Sequence, residues 1–595
     1  MVRLSIPLCG PLALAMIGQA TSAFAADCFV DSVGGSDTNN GSSETAAVKS
    51  IAKIPSTCTA VKFKRGSQFS IAKGVQNLGI ANMNSVKTLT NYGDLTQPLP
   101  KFVKDHVGGS GGLIQVYMGG VTIDGLYLSG SKSANSMSQL ADGIGVMLGA
   151  NSTIKNCEIT LCDIGMMTSG DNVKVVNNYV HDLSISVDAA PGVDPNQVGG
   201  AEGIFVNSSH VEVAYNRFVN CSTAAQWVSN TNSGGVRCDG GATEVTVPYA
   251  GEVTDVHIHH NFSYNSCGFF EVSSMPSSGS GTYVKGKFTN SEFHDNVMVD
   301  SGWISLLQIN NTKLTNVRWE NNTIVHHFLS TVTDASGTAI DMNDFASSYL
   351  QVIAFNNTSS GVAGGGELSQ GDVYWTNNLW YFDPQIFKKL PSAGVDATHA
   401  STDQFVKNIV ITGDKFFTSD PGFVDIASTT DPRAYDLKPG SAAIDQGVSD
   451  SNIAADVPTD FADRARPVGT AYDLGAFEFQ NSAAGGSNGS GGNSSVAAGG
   501  AVASGGRATT GGNSTAQTAG NSTSIEGSPT GGATSSSTDA AAGNSSTAPG
   551  TASNEGSCSC KVAGRHSSST AAALLGLLAC AAGFTRGRMR KQNRP

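Results

Sequence analysis

A right-handed parallel β-helix, an all-β solenoid, is the fold class that this sequence predicts. An eight-residue pattern recurs along the chain: apolar, any, apolar, any, any, Asn, any, apolar. The clearest copy is VEVAYNRF at 211–218, and further copies lie at 173–180, 256–263, 291–298, 317–324, 352–359 and 373–380. A period of 2 fits these copies and a period of 3.6 does not. Each copy therefore predicts a short strand followed by a bend at Asn.

The spacing of the Asn residues is the second observation. They lie at positions 156, 178, 216, 261, 296, 322, 357 and 378, and the closest neighbours are 21 and 22 residues apart. Repeats of roughly 20–29 residues bury their apolar faces by stacking, as in solenoids. Asn side chains at equivalent bends would hydrogen-bond to one another as a ladder. The alternative, a β-sandwich, does not require a fixed repeat.

A second strand is predicted before each Asn bend. It begins with Gly and an apolar residue, at Gly143, Gly165, Gly203, Gly235, Gly268 and Gly302. In the first three copies the Gly precedes the Asn by 13 residues. This constant spacing predicts two strands in one coil at a fixed register.

Composition favours an exported β-rich protein. Of 595 residues, 71 are Gly and 14% are charged, against roughly 25% charged in typical domains. The net charge of −13 makes nucleic acid an unexpected partner. Residues 1–25 predict a signal peptide, with Arg3, an apolar run and a small-x-small end. Export permits disulfides, and Cys28 and Cys58 are placed to staple the N-terminal segment.

Residues 26–115 are predicted to form an N-terminal cap and the first coils. The stretch CFVDSVGGSDTNNGSS, which begins at Cys28, resembles the N-terminal segment of pectate-lyase-like bacterial β-helix proteins. That resemblance implies a strand, a loop and a short helix over the open end of the solenoid. Such a cap is needed because an open end exposes unpaired backbone groups.

Residues 116–480 are predicted to form the body of the solenoid, with a closing segment at 416–479. That segment contains FFTSDPGFVD, YDLKPGSAAIDQGV and DRARPVGTAYDLGAFEF. It closely resembles the end of many secreted bacterial right-handed β-helix proteins, where these pieces shape the last coils. Such proteins include lyases, hydrolases and uncharacterised surface proteins, so the resemblance implies the fold without naming an activity.

The C-terminal part of the sequence, residues 481–595, is predicted to form a stalk and an anchor. Residues 481–556 consist almost entirely of Gly, Ser, Ala, Thr and Asn, which favours a disordered linker.

Residues 557–595 contain Cys558 and Cys560, an apolar run at 571–584 and an Arg-rich end. Together these features resemble the myxobacterial C-terminal sorting signal, although Ser559 replaces the commoner Gly and the spacer is long. The resemblance implies processing at the two cysteines and display at the cell surface, in the outer envelope. The alternative is an ordinary tail anchor.

Four predicted insertions surround the central Gly-initiated strands. They cover 183–201, 222–233, 240–253 and 273–287. Long loops on a rigid scaffold commonly carry function, so we expect them to wall a binding groove. The alternative is that they are insertions without a role.

The outward-facing residues of the Asn-bend strands form two predicted columns, about 4.8 Å apart from coil to coil. One holds Glu212, His257, Glu292 and Arg318, and the other holds His259, His294 and Glu320. Imidazoles and carboxylates in this arrangement could bind a divalent metal or supply a general base. His259 and His294 are the candidate catalytic residues. The alternative is a solvated face of cross-strand charge pairs.

A second cluster of charged residues lies on the Gly-initiated strands, with Glu202, Arg237, Asp239 and Glu271. Arg237 is the candidate partner for a uronate carboxylate, which guanidinium binds bidentately. It is also a catalytic candidate, while Asp239, Glu202 and Lys285 are candidates for substrate binding. The alternative is structural ion pairing.

These features predict a surface protein that acts on or binds an acidic polysaccharide, as a polysaccharide lyase or a glycoside hydrolase. In β-elimination a cation or Arg neutralises the uronate carboxylate, and a base removes the C5 proton. No compact Asp cluster of a calcium-dependent pectate lyase and no Asn-Thr-Asp motif of a polygalacturonase is present. No motif names a cofactor or metal, although calcium is compatible with the chemistry. The alternative is a non-catalytic carbohydrate-binding or adhesive protein, and we expect a monomer.

Overall fold

The predicted all-β solenoid is confirmed. The computed structural model describes residues 26–72, 75–105, 112–130, 144–183, 201–221, 240–266, 268–274, 286–301, 303–307, 312–326, 331–333, 339–341, 351–355, 372–382, 409–449 and 457–480. Within these residues the chain forms three long parallel sheets and no α-helix. This arrangement is that of a right-handed parallel β-helix.

The sheets are called A, B and C, and their strands are numbered in chain order. Sheet A contains β1 (Ala26–Val30), β2 (Cys58–Lys64), β4 (Thr88–Tyr92), β7 (Thr122–Asp124), β10 (Thr153–Lys155), β13 (Lys174–Val176), β16 (Val211–Ala214), β20 (Val256–His259), β23 (Gly286–His294), β26 (Thr312–Glu320), β31 (Val373–Thr376) and β33 (Ile409–Thr412), with β19 (Glu252–Thr254) paired to β23. Sheet B contains β3 (Gln68–Ile71), β5 (Lys101–Lys104), β8 (Tyr127–Ser129), β11 (Glu158–Thr160), β14 (Tyr179–Leu183), β17 (Arg217–Cys221), β21 (Phe262–Tyr264), β24 (Val297–Val299), β27 (Thr323–His326), β32 (Leu379–Phe382) and β34 (Lys415–Phe417). Sheet C contains β6 (Ile114–Val116), β9 (Ile144–Leu148), β12 (Ile164–Thr168), β15 (Ala201–Val206), β18 (Gly240–Val247), β22 (Gly268–Ser274), β25 (Trp303–Leu307) and β30 (Gln351–Phe355).

The smaller elements are an antiparallel pair and several short 3-10 helices. The pair is β28 (Thr331–Thr333) with β29 (Ala339–Asp341). The 3-10 helices are Glu44–Ala46, Ile51–Lys53, Asn77–Gly79, Met83–Ser85 and Pro432–Tyr435.

Each coil runs from sheet C to sheet A and then to sheet B, as β12, β13 and β14 show. Strands in one sheet pair in parallel with those of the next coil. Because side chains alternate across each strand, one face of every sheet points into the solenoid. These inward residues form one apolar core along the described length of the solenoid.

The Asn ladder lies at the bend between sheets A and B. Each Asn amide donates to the carbonyl oxygen of the Asn side chain in the next coil. The Nδ2–Oδ1 distances are 2.9 Å for Asn178–Asn216, 3.1 Å for Asn216–Asn261, 3.0 Å for Asn261–Asn296, 3.0 Å for Asn296–Asn322 and 2.9 Å for Asn322–Asn378. Asp414 receives the last amide at 3.1 Å. The predicted stacking of these six Asn residues is confirmed.

The prediction for Asn156 is wrong by one residue. Cys157 occupies the ladder position, and its backbone N–H donates to Asn178 Oδ1 at 3.0 Å. Asn156 precedes it in a left-handed backbone conformation, with φ of 55°, and its side chain accepts from Asn177. The ladder therefore begins at Asn178, while Asn357 lies outside the described residues.

The N-terminal region already contributes coils to the solenoid. Sheet A begins at Ala26 and sheet B at Gln68, whereas sheet C begins only at Ile114. A disulfide joins Cys28 in β1 to Cys58 in β2. The solenoid thus starts as two sheets and gains its third at the end of the predicted cap region.

The closing segment folds back along the outer face of sheet B. After β34, residues 418–480 add no further strand within the described part of the chain. A second hydrophobic cluster forms between segment and sheet, from Phe262, Val297, Val299, Val325 and Leu379 of the sheet and Phe423, Tyr435, Leu437, Ala443, Leu474, Ala476 and Phe477 of the segment. The segment therefore covers a side of the solenoid, where the resemblance implied that it would shape the last coils.

Several predicted features fall on residues that the structure does not describe. They are the signal peptide, the stalk, the apolar run at 571–584 and the cysteines Cys558 and Cys560. Among the described residues no helix has the length and apolar character to cross a membrane.

Candidate functional site

The two outward columns of sheet A have the predicted register. Glu212, His257, Glu292 and Arg318 are successive partners across β16, β20, β23 and β26. Ala214, His259, His294 and Glu320 are successive partners in the second column. The two columns differ in their surroundings, and that difference decides what each can do.

The first column is a row of charge pairs at the surface. His257 Nε2 lies 2.8 Å from Asp255 Oδ1, and His257 Nδ1 contacts the carboxylate of Glu292. The hydrogen bond to Glu292 raises the pKa of His257 to about 9. Both nitrogens of this imidazole are engaged by carboxylates. The alternative of a solvated, charge-paired face therefore describes this column.

The second column contains two stacked imidazoles. The ring centroids of His259 and His294 lie 4.8 Å apart, and the ring planes differ by 3°. The side chain of His259 is 16% exposed and that of His294 is 9% exposed. Burial, together with the neighbouring histidines, holds the pKa of His259 well below its usual range. His259 is therefore neutral at neutral pH.

The closing segment supports these imidazoles from behind. His260 Nε2 donates to the Asp460 carbonyl oxygen at 2.9 Å, and the His260 and His259 Nδ1 atoms lie 2.9 Å apart. Because a carbonyl only accepts, a neutral His260 carries its proton on Nε2 and accepts at Nδ1. His259 then donates from Nδ1, and its Nε2 carries a lone pair.

The closing segment holds His294 through a buried ion pair. His294 Nδ1 lies 2.9 Å from Asp295 Oδ2, and Asp295 Oδ1 accepts from Arg466 Nη2 at 2.6 Å. The side chains of Asp295 and Arg466 are both fully buried. His260, His294 and Asp295 lie close enough to suggest a metal cluster, but hydrogen bonds already engage the facing atoms of this group.

Tyr215 completes the contact between sheet A and the closing segment. Its hydroxyl donates to Asp463 Oδ1 at 2.6 Å. The ring of Phe461 stacks near His260, with centroids 6.1 Å apart. His259 and His294 therefore border a packed interface with the closing segment.

The predicted strand start at Gly235 lies outside the described residues, and the predicted insertion at 240–253 is wrong. The strand of this coil is β18, which runs from Gly240 to Val247, and β19 begins at Glu252. The four residues between them form the connection from sheet C to sheet A. The Gly-Gly pair at 240–241 resembled a loop, although the alternation in ATEVTV has the period of a strand.

Three of the predicted binding residues lie outside the described residues: Arg237, Asp239 and Lys285. Lys287 belongs to the predicted insertion at 273–287, but it lies in β23 of sheet A. Its ammonium is 3.7 Å from Glu252, and both side chains are largely exposed. Lys287 thus forms a surface ion pair away from sheet C.

Sheet C brings together Glu202, Glu244 and Glu271. One carboxylate oxygen from each lies within 4.8 Å of the others. Glu244 and Glu271 are direct register partners in β18 and β22, and Glu202 lies in the adjacent strand β15. Each residue is less than 10% exposed. This trio is called the glutamate cluster below.

The glutamate cluster faces away from the solenoid core. Val245 and Val247 on β18, and Phe270 and Val272 on β22, belong to the main core cluster. Because side chains alternate, Glu244 and Glu271 point to the opposite face. Thr246 shares that face and donates to Glu244 Oε1 at 2.5 Å.

Long segments between strands attach to the three strands of the glutamate cluster. Residues 184–200 precede β15, residues 222–239 precede β18, and residues 275–285 follow β22. The cluster therefore lies on a part of the solenoid where the chain has long insertions between strands. Sequence reasoning identified Glu202 and Glu271 but missed Glu244, because it assigned residues 240–253 to a loop.

Three converging carboxylates allow two kinds of chemistry. Carboxylate oxygens are preferred ligands of calcium and other hard cations. Paired carboxylates also serve as the acid and base of glycoside hydrolysis. The imidazoles of sheet A offer nitrogen ligands or a neutral base on a different face.

Comparison with protein-family models agrees with the fold. The model of a family described as a right-handed β-helix region matches residues 103–247. No curated protein sequence matches the chain. A crystal structure of pectate lyase Pel9A is similar at 16% identity, covering 76% of this chain and 96% of that one, with a TM-score of 0.37.

Two further solved structures are similar. A rhamnogalacturonan lyase shares 13% identity over 74% of this chain and 99% of its own, with a TM-score of 0.42. The tailspike protein of E. coli bacteriophage HK620, in complex with a pentasaccharide, shares 11% identity over 62% of this chain and 61% of its own, with a TM-score of 0.36. At these identities the similarity concerns the fold alone.

Proposed function

We propose that this protein acts on an acidic polysaccharide, as a polysaccharide lyase, at the outward face of sheet C. The observation that carries the proposal is the glutamate cluster on β15, β18 and β22. It combines buried carboxylates with long inter-strand segments. Arg237 and Asp239 precede β18, and Lys285 precedes β23, so we keep all three as candidate substrate-binding residues.

Charge determines how an acidic glycan would bind. The protein has a net charge of −13, and the cluster itself is acidic. A uronate placed directly on these carboxylates would be repelled. A divalent cation such as calcium, bound by the cluster, would neutralise the uronate carboxylate and acidify its C5 proton. The three glutamates fit this role as oxygen donors.

The structure favours sheet C over His259 and His294 for this chemistry. The two histidines lie on sheet A, and their Nδ1 atoms are held by the network that reaches the closing segment. Arg237 remains the candidate for pairing with a uronate, as its guanidinium suits carboxylate geometry. The base that removes the proton would come from the segments that flank the cluster.

Glycoside hydrolysis is the second catalytic candidate, because Glu244 and Glu271 are adjacent carboxylates on one face. A non-catalytic carbohydrate-binding or adhesive protein is the candidate from another class. The stalk at 481–556 and the anchor at 557–595 support it, since a tethered protein suits adhesion.

Product analysis separates these candidates. Purified full-length protein is incubated with polygalacturonate, alginate, chondroitin sulfate and neutral xylan, with calcium or with a chelator. A lyase produces unsaturated ends that absorb in the ultraviolet and requires the cation. A hydrolase produces reducing ends without that absorbance. Binding without either product supports the adhesive protein, and neither binding nor turnover on any acidic polymer contradicts the proposal.

We also propose that the protein is exported and held at the cell surface by its C-terminal segment. The support is the signal peptide predicted at 1–25 and the cysteine pair, apolar run and Arg-rich end of 557–595. Deleting 557–595 should release the protein into the medium, as measured by immunoblotting of cells and medium. A deletion within the stalk is the control and should leave it cell-bound. If the truncated protein also stays on the cells, the anchor lies elsewhere.

A further inference from the structure

The outer face of sheet B carries a row of aromatic and charged side chains, which is called the tyrosine strip below. It consists of Lys101 on β5, Tyr127 on β8, Glu158 on β11, Tyr179 on β14 and Arg217 on β17, each the register partner of the next. Leu128, Ile159 and Val180 alternate with the strip along these strands and belong to the main core. Because side chains alternate across a strand, the strip points outward.

The tyrosine strip ends where the closing segment begins to cover sheet B. The next register partner of Arg217 is Phe262, which is buried in the hydrophobic cluster between the sheet and the closing segment. In contrast, Tyr179 is 36% exposed, and Lys101, Tyr127 and Arg217 are partly exposed. The strip is therefore accessible from solvent on the coils that precede this cover.

Both basic residues of the strip stack on a tyrosine ring. The Lys101 ammonium lies 4.6 Å from the ring centroid of Tyr127, and the Arg217 guanidinium lies 5.3 Å from that of Tyr179. Neither cation forms an ion pair with a residue that the structure describes. Arg217 Nε is buried and donates to no acceptor among the described residues. A buried donor of this kind is costly unless another group accepts from it.

The acidic side chains beside the strip are engaged by a histidine. His181 stacks on Tyr179, with ring centroids 4.2 Å apart, and lies 2.7 Å from Asp182 and 3.3 Å from Glu158. Burial lowers the pKa of His181, but its hydrogen bonds to Asp182 and Glu158 outweigh this effect and raise that pKa overall. The two basic residues of the strip thus remain as charges without a carboxylate partner, in a protein whose net charge is −13.

We propose that the tyrosine strip is a second binding site for an acidic polysaccharide, separate from the glutamate cluster and independent of a metal ion. Charge complementarity favours this ligand, because guanidinium and ammonium groups form strong hydrogen bonds to carboxylates. The proposal shares the class of polymer with the proposed function, but neither its residues nor its cation.

The spacing of the coils suits an extended glycan that runs along the solenoid. Successive coils are about 4.8 Å apart, which is close to the length of one pyranose residue in an extended chain. Tyr127 and Tyr179 are two coils apart, so their rings would pack against alternate sugars and their hydroxyls would bond to sugar hydroxyls. Lys101 and Arg217, at the two ends of the strip, would bind uronate carboxylates.

Tyr374 provides a matched control on sheet A. The Arg318 guanidinium lies 5.2 Å from its ring centroid, so the two residues form the same kind of stacked pair as Arg217 and Tyr179. Arg318, however, lies 3.4 Å from the carboxylate of Glu320. A general preference of glycans for stacked tyrosine–arginine pairs would not distinguish Tyr374 from Tyr179.

The test measures binding of oligomers of polygalacturonate and of alginate to purified full-length protein by calorimetry, in the presence of a chelator. The chelator removes any cation from the glutamate cluster, so only binding without a metal ion is measured. We expect Tyr179→Ala and Arg217→Gln to bind at least about tenfold more weakly than the wild type, equivalent to about 1.4 kcal/mol. Glu271→Gln and Tyr374→Ala should bind like the wild type.

Conservative variants separate loss of the contact from loss of the fold. Tyr179→Phe keeps the aromatic ring and Arg217→Lys keeps the charge, so each should recover most of the binding. The proposal is overturned if the wild type binds neither oligomer in the chelator, if Tyr179→Ala and Arg217→Gln bind like the wild type, or if Tyr374→Ala loses as much as Tyr179→Ala. Failure of the proposed function has a different signature, in which turnover and calcium-dependent binding are absent while binding in the chelator remains.

Discussion

The outer faces of sheets A and C have the same geometry and carry opposite chemistry. On sheet C, Glu202, Glu244 and Glu271 converge beside long segments that connect the strands. On sheet A, His259 and His294 stack beside the closing segment, which is bound through Asp295 and Arg466. One face thus offers hard oxygen donors near variable chain segments. The other offers nitrogen donors in a rigid, packed setting.

The comparison shows that the position of a residue on a β-helix does not by itself determine its chemistry. His257 and His259 are two residues apart on β20 and face the same way. His257 lies between two carboxylates, which raise its pKa to about 9, whereas burial beside other histidines lowers that of His259. What packs over each column determines whether a histidine is a surface ion-pair partner or a buried, neutral side chain.

Breaking the buried ion pair between Asp295 and Arg466 should produce the largest difference between the two faces. Arg466→Ala leaves Asp295 as a fully buried carboxylate without its cationic partner, which should cost about 3–5 kcal/mol of unfolding free energy. Chemical denaturation measures this loss. Below the transition, glycan binding at sheet C should be retained, because the glutamate cluster does not contact Arg466.

The control for that change is an ion pair of nearly equal length at the surface. Lys62 and Asp27 lie 2.7 Å apart, with side chains 29% and 47% exposed. Lys62→Ala should cost less than about 1 kcal/mol. Equal losses for Arg466→Ala and Lys62→Ala would show that the closing segment is not held by the buried pair.

Interrupting the Asn ladder should affect both faces equally, since it supports the coils beneath them. Asn261 Nδ2 donates to Asn296 Oδ1 at 3.0 Å and to the Val213 carbonyl oxygen at 2.8 Å. Asn261→Leu removes both bonds and also the Oδ1 that accepts from the Asn216 backbone N–H at 2.9 Å, at a cost of about 1–3 kcal/mol. The denaturation midpoint should fall, while the exposed Asn40→Ala should leave it unchanged. An unaltered midpoint for Asn261→Leu would mean that the ladder does not stabilise the fold.

Asp414, which ends the Asn ladder, should make the stability of the fold depend on pH. Asp414 accepts from the amide of Asn378 and from Trp380 Nε1, and desolvation raises its pKa to about 7. Since this folded-state pKa exceeds the unfolded value near 3.8, the contribution to stability is present below about pH 4. It is lost as the pH rises through 7, at a cost of about 1–2 kcal/mol for a partly buried group. Asp414→Asn should remove that part of the pH profile of melting temperature, and an unchanged profile would contradict the assignment.

Much of the solenoid could be predicted because its information is local. The period-2 strands and the recurring Asn define the register of sheet A, and that register placed His257, His259, Glu292 and His294 in the correct columns. Asn156 was misassigned because two positions at the bend suit Asn, the left-handed position and the ladder position that follows it.

The surroundings of the columns could not be predicted because they depend on distant chain segments. Arg466 reaches Asp295 across 171 residues and Asp460 reaches His260 across 200. No local pattern relates these positions. Glu244 was missed for a different reason, as its strand begins with a Gly-Gly pair typical of a loop, although its alternation of β-branched residues would have revealed it.

The smallest expected effect on stability concerns His257, in the surface column of sheet A. The hydrogen bond to Glu292 raises the pKa of His257 to about 9, so its contribution to stability is fully present below the unfolded pKa near 6.5 and is lost as the pH rises through 9. Because the side chain is 36% exposed, the contribution should stay below about 1 kcal/mol. NMR titration of the His257 ring should give a midpoint well above 6.5, and Glu292→Gln should lower it. A midpoint near 6.5 in the wild type would contradict the pairing.

Glycan binding by three matched variants tests the central claim most directly. Full-length Glu271→Gln, His259→Gln and the exposed control Glu252→Gln are compared with wild type on the acidic polymer that wild type recognises best, at fixed calcium concentration. If the glutamate cluster is the site, Glu271→Gln should weaken cation-dependent binding by roughly ten- to a hundredfold, equivalent to about 1.4–2.7 kcal/mol. His259→Gln and Glu252→Gln should bind like wild type. Unchanged binding by Glu271→Gln, together with a loss in His259→Gln, would place the site on sheet A and contradict the account.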